Sequence, residues 1–158
     1  MANGPFNVAK GRAIEWYNRI ESNDPANSAY ILVLATGAAT DATLRDYETL
    51  SALLGDAGVT EANFTNYVRK TLTDAELAAF PGPDNTNDRY DVTLPDTTWT
   101  AAGNGTNNTL TRLFVCYDSD TTGGTDANII PVAFHDFAVT TNGGDLTADF
   151  GVVWYRAS

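Results

Sequence analysis

The sequence is short of the residues that most often carry chemistry: among its 158 residues there is one cysteine, one histidine and one methionine. A single cysteine excludes an intramolecular disulfide, and one histidine with one cysteine is a poor donor set for zinc. Positive charge is also scarce. Nine Lys and Arg stand against 20 Asp and Glu, for a net charge of −11. Such a surface repels phosphate backbones and anionic lipid, so neither nucleic acid nor a membrane is an expected partner. No apolar run approaches the length of a membrane span, and the N-terminus lacks the basic-then-apolar layout of a signal peptide. The expectation is a chain synthesised in the cytoplasm. Phosphate loops and dinucleotide fingerprints are missing as well, and no cofactor is expected.

What is present is a globular composition, 43% hydrophobic and 18% charged, with Thr, Asn and Gly in place of much of the usual surface charge. Short β-branched and aromatic runs alternate with Asn, Asp, Pro and Gly clusters, the pattern of strands joined by wet turns. The expected fold is mainly β (α+β): a single-domain antiparallel β-sandwich or barrel with one principal helix near residues 41–54. Residues 1–10 read as an N-terminal arm, disordered or docked on something else, and residues 11–158 as the β-rich domain. Residues 11–20 suit both periods, Ile14, Trp16 and Ile20 alternating and Ala13, Trp16, Tyr17 and Ile20 helical. The turn cluster at residues 23–27 and the apolar run Tyr30 to Leu34 favour a strand and hence a hairpin. In the helix, Thr40 or Asp41 is the N-cap, Leu44, Tyr47, Leu50, Leu53 and Leu54 form the stripe, and Gly55 ends it.

Residues 64–72, Phe-Thr-Asn-Tyr-Val-Arg-Lys-Thr-Leu, read as a strand that interleaves aromatics with Arg69 and Lys70. Those cations either pair with acids of the same chain or reach a neighbouring subunit. A capping box at Thr73 and Glu76 predicts a short helical turn. Further strands are expected over residues 89–94, 97–101, 110–117, 129–134, 137–140 and 150–155. Cys116, within Leu-Phe-Val-Cys-Tyr, reads as a buried strand residue.

Two constellations resemble sites. Asp118-Ser119-Asp120-Thr121-Thr122-Gly123 matches the first half of a calcium loop, but Ile129 stands where the bidentate Glu belongs, and the segment reads as an acidic hairpin loop. His135-Asp136 sets a histidine beside a carboxylate without an accompanying nucleophile, and reads as structural. Asn63, Asn104 and Asn107 each open an Asn-x-Ser/Thr triplet, as chance allows in a chain rich in Thr and Asn.

The run Phe64-Thr65-Asn66-Tyr67-Val68-Arg69-Lys70-Thr71-Leu72-Thr73, then Asp84-Asn85-Thr86-Asn87-Asp88-Arg89, Asp96-Thr97-Thr98-Trp99-Thr100-Ala101 and Leu113-Phe114-Val115-Cys116-Tyr117-Asp118, resembles a family of small virion structural proteins of tailed bacteriophages, especially those of actinobacterial hosts. The resemblance implies a non-enzymatic particle component, a head decoration protein on the outer capsid surface with the major capsid protein as partner. It allows self-association, a trimer included, and carries over no catalytic residues. On that reading Phe6, Lys10, Arg12, Trp16 and Arg19, in the only segment not strongly acidic, are expected at the capsid or a neighbouring subunit, with Arg69 and Lys70 as further interface residues. Deleting residues 1–9 is then expected to spare the fold. A tail or receptor-binding component would instead grip host glycans with exposed aromatics, Trp99 and Tyr155 being the residues to examine. A small hydrolase would need a pocket converging carboxylates of separated pKa.

Overall fold

The computed structural model describes residues 3–157, and its longest strands form the centre of the molecule. Strand β1 (Gly4–Pro5) leads through a 3-10 turn (Asn7–Ala9) into helix α1 (Ala13–Glu21), followed by β2 (Ala29–Gly37), α2 (Asp41–Leu44) and α3 (Leu50–Leu54). Short strands β3 (Val59–Glu61), β4 (Lys70–Leu72), β5 (Tyr90–Val92) and β6 (Thr97–Trp99) precede the long β7 (Thr109–Asp118) and β8 (Ile130–Thr140), and β9 (Leu146–Ala148) and β10 (Tyr155–Ala157) close the chain. The principal sheet runs β1-β8-β7-β2-β3 with β4 also on β2; β10-β5 and β6-β9 form two-stranded sheets, and every pairing is antiparallel. With 34% strand and 14% helix, the expected mainly β, α+β class is the observed one.

Register explains why β2 is apolar on both faces. Tyr30, Leu32 and Leu34 lie opposite Tyr117, Val115 and Leu113, whereas Ile31 and Val33 lie opposite Cys116 and Phe114. Alternate residues face opposite sides, so both sides of the sheet must be covered. On the Tyr30 side, Trp16 of α1 stacks on Tyr117 at 5.3 Å, the Tyr30 hydroxyl donates to the Ala13 carbonyl at 3.1 Å, and Trp154 meets Tyr30 edge-on. On the other side, Phe6 packs against Phe114 and Phe134, and Leu44, Leu50 and Leu53 are fully buried.

Several local expectations are corrected. Residues 11–20 hold a helix, because the stripe Ala13, Trp16, Tyr17 and Ile20 is wholly buried while Glu15 and Arg19, four apart, pair on the exposed side. The turn at residues 23–27 therefore joins helix to strand, with Asn23 and Asn27 at φ 52° and 66°, a conformation asparagine tolerates. The predicted helix 41–54 is two short helices. Thr40 accepts from the Thr43 N–H at 3.3 Å and Thr49 from the Ala52 N–H at 3.2 Å, so a second cap restarts the helix after a turn.

Residues 64–72 are a strand only over Lys70–Leu72. Asn66 has φ 71°, the Tyr67 N–H closes a turn on the Phe64 carbonyl, and Thr65 bonds across to Thr106 and Gly103. The C-terminal strand is likewise limited to Tyr155–Ala157, whereas the two strands expected over residues 129–134 and 137–140 are one continuous β8, Ile130–Thr140. Gly37, at φ 120°, marks the tightest approach: a Cβ there would lie 2.1 Å from the Gly58 carbonyl oxygen.

Nor are residues 3–9 a detached arm. Gly4–Pro5 pair with β8, and the Phe6 N–H donates to the Val132 carbonyl at 3.0 Å, which seats the Phe6 ring in the core. Met1 and Ala2 lie outside the described residues. Among the described residues no helix is long and apolar enough to cross a membrane.

Candidate functional site

The N-terminal residues proposed for contact divide by burial. Phe6 is wholly buried and Trp16 is 5% exposed, so both are core residues. Lys10, Arg12 and Arg19 remain at the surface. Lys10 follows the 3-10 turn and donates to the Asn7 side chain at 2.8 Å; Arg12 stands at the start of α1; Arg19 is tied to Glu15 at 2.7 Å. Lys10-Gly11-Arg12 is thus an exposed basic corner fixed to the body by the anchored Phe6.

Arg69 and Lys70 are turned inward. The Arg69 guanidinium takes Glu61 in a two-point grip, 2.7 Å at each oxygen, and reaches Asp126 at 2.5 and 2.9 Å. Tyr67 donates to Glu61 at 2.9 Å and accepts from the Leu34 N–H at 3.2 Å, which fastens the clamp to β2. Hydrogen bonds to Glu61 and Asp126 hold the Arg69 pKa above its ordinary value; its guanidinium in turn lowers that of Asp126. Lys70 lies over the Trp99 ring at 5.9 Å, and Trp99 is buried with its indole N–H on the Val68 carbonyl. Trp99 therefore offers no exposed ring to a glycan, and Tyr155 is half-buried.

Neither sequence constellation forms the centre it resembles. The Asp118 carboxylate accepts from the Asp120 N–H, and Asp120 accepts from the Thr122 N–H and hydroxyl, which turns the loop's oxygens onto its own backbone. Among the described residues no group of three or more His, Cys, Asp and Glu is placed to hold a metal ion. Asp136 pairs with Arg112, and Arg112 also meets Asp41 at 3.2 Å. Cys116 is wholly buried, and desolvation raises its thiol pKa.

His135 instead receives a hydrogen bond from the Trp154 indole N–H at 3.2 Å and meets the Phe150 ring edge-on at 5.9 Å. Indole nitrogen only donates, so the imidazole Nε2 must be the unprotonated acceptor; burial lowers its pKa and agrees with that neutral form. Beside this pair lies a cavity of about 280 Å³, lined by His135, Asp136, Phe137, Asp149, Phe150 and Trp154 among others. Sequence reasoning did not assemble this pocket, because Trp154 and Phe150 come from an irregular segment far along the chain. The available signal was the sole histidine lying between two expected apolar strands, 129–134 and 137–140, where a buried ring needs a hydrogen-bond partner.

Neither a family model, nor a characterised protein, nor a solved structure matches the chain.

Proposed function

We propose that the chain is a non-enzymatic structural component of a tailed-bacteriophage particle, a decoration protein bound to the outside of the major capsid shell. What carries the reading is the four-segment resemblance to phage virion structural proteins, and the positions of its residues support it. Tyr67 and Arg69 build the clamp on Glu61 and Asp126, Trp99 packs beneath Lys70, and residues 113–118 run through the central strand β7. The signature describes a scaffold. A protein that stiffens a shell needs such a body and a surface that meets a neighbour, and Lys10 and Arg12 supply an exposed cationic corner on a chain of net charge −11. Self-association, a trimer included, belongs to the same proposal.

The test is direct. Purified protein carrying a fluorescent or electron-dense label is mixed with particles that lack it, and bound label is imaged. Label distributed over the head supports decoration; label confined to the tail, or none retained on the particle, overturns it.

A further inference from the structure

The geometry points to the His135 cavity as a receptor for a basic side chain, arginine or lysine, presented by a partner protein. Its walls and its charge divide in the way such a side chain divides. Leu113, Phe137 and Val153 contribute apolar surface, and the volume of about 280 Å³ accommodates one long side chain. Asp149 is an exposed carboxylate of the lining: its Oδ1 accepts from the Gly151 N–H at 2.7 Å, and its Oδ2 has no other partner among the described residues. Lysine and arginine lay an apolar stem along such a wall and carry the charge to its rim. The neutral state of His135, fixed by the Trp154 indole, keeps a second positive charge out of the pocket. Arg112 is already engaged by Asp136 and Asp41.

Other ligand classes fit less well. An anion would face Asp149 within the field of a chain of net charge −11. A sugar stacks on an open ring face, whereas Phe150 is set edge-on to His135 and Trp154 is 9% exposed. The proposal rests on the particle-component reading only for the source of the basic side chain, which a capsid-bound protein would meet on its neighbour.

The experiment is a titration of the full chain near neutral pH, followed by the NMR signals of the Trp154 indole and the His135 ring. Nα-acetyl-arginine amide is the probe; Nα-acetyl-citrulline amide, of the same shape without the guanidinium charge, and methyl glucoside are the comparisons. The acetylated arginine amide should shift both signals saturably, with its citrulline analogue about tenfold weaker, the effect of one charge-assisted hydrogen bond. Asp149→Asn, which retains an acceptor for Gly151, should abolish the preference without lowering the melting temperature. Equal response to arginine and citrulline, a stronger response to the glucoside, or an unchanged preference in Asp149→Asn overturns the assignment. No particle is present in the titration, so failure of the capsid reading leaves its outcome standing. Conversely, loss of the arginine response with particle binding intact removes the pocket alone.

Discussion

Phe6 fastens the N-terminal segment to the principal sheet, its N–H on the Val132 carbonyl and its ring in the core. A short segment with Gly4-Pro5 and few periodic apolar positions reads as a loose arm, because burial by a remote partner leaves no local pattern. The ring sits at 5.6 Å from Phe134 and 6.2 Å from Phe114, wholly shielded from solvent. Phe6→Ala should destabilise the fold by about 3 kcal/mol, the usual scale for removing a buried aromatic, as read by chemical denaturation. Deletion of residues 1–9 should lower the melting temperature for the same reason, so it cannot separate binding from folding. Cys116 shows the opposite relation, since its place in an apolar strand was legible from its neighbours. Buried and with its thiol pKa raised, it should resist a thiol reagent in the native protein and react only at the rate of unfolding.

At the scale of elements, legibility followed the range of the interactions. Strands β2 and β7 are runs of mutually facing apolar residues, and their existence was readable from composition. The break in helix 41–54 was not, because Thr49 looks like an interior residue until its hydroxyl is seen capping Ala52. Residues 64–69 likewise give up strand geometry for side-chain bonds to Glu61, Thr106 and Ala101, partners scattered through the sequence. The inward pairing of Arg69 was among the alternatives the sequence offered, but the identity of its partners was not.

Two of these tertiary links give separate pH signatures. Asp126 has its pKa lowered by Arg69, so its contribution is present above the ordinary carboxylate value and is lost as pH falls through the lowered one. His135 has its pKa lowered by burial, so below about pH 6.5 the unfolded chain takes up the proton first and stability declines until the folded histidine also titrates. Melting temperature should thus fall in two steps. His135→Gln should remove the upper step, and Asp126→Asn should shrink the lower one, to which Asp56, Glu76, Asp84, Asp91 and Asp120, whose pKa values are also lowered, contribute as well; a His135→Gln profile identical to the parent would show that the Trp154 bond does not depend on the neutral ring.

For the molecule as a whole, charge distribution decides which surface can meet a partner selectively. Arg19, Arg69, Arg89, Arg112 and Arg156 each form ion pairs within the chain, Lys70 lies on Trp99, and the half-buried Arg45 lies over the Phe134 ring and donates to the Pro5 carbonyl. The exposed cations of the Lys10-Gly11-Arg12 corner are therefore the positive feature that an acidic patch on a neighbouring subunit would find. Rim charges of this kind act mainly through association rate and salt dependence. Lys10→Gln with Arg12→Gln should weaken particle binding about tenfold at low ionic strength and flatten its decline with added salt. A control isolates position from net charge: Ser51→Glu with Ala52→Glu, both on the exposed side of α3, changes the total by the same amount. If the two pairs weaken binding equally, the acidity of the whole protein governs association and the corner has no special part. If only the first pair does, the corner faces the particle, and the anchored Phe6 is what holds it there.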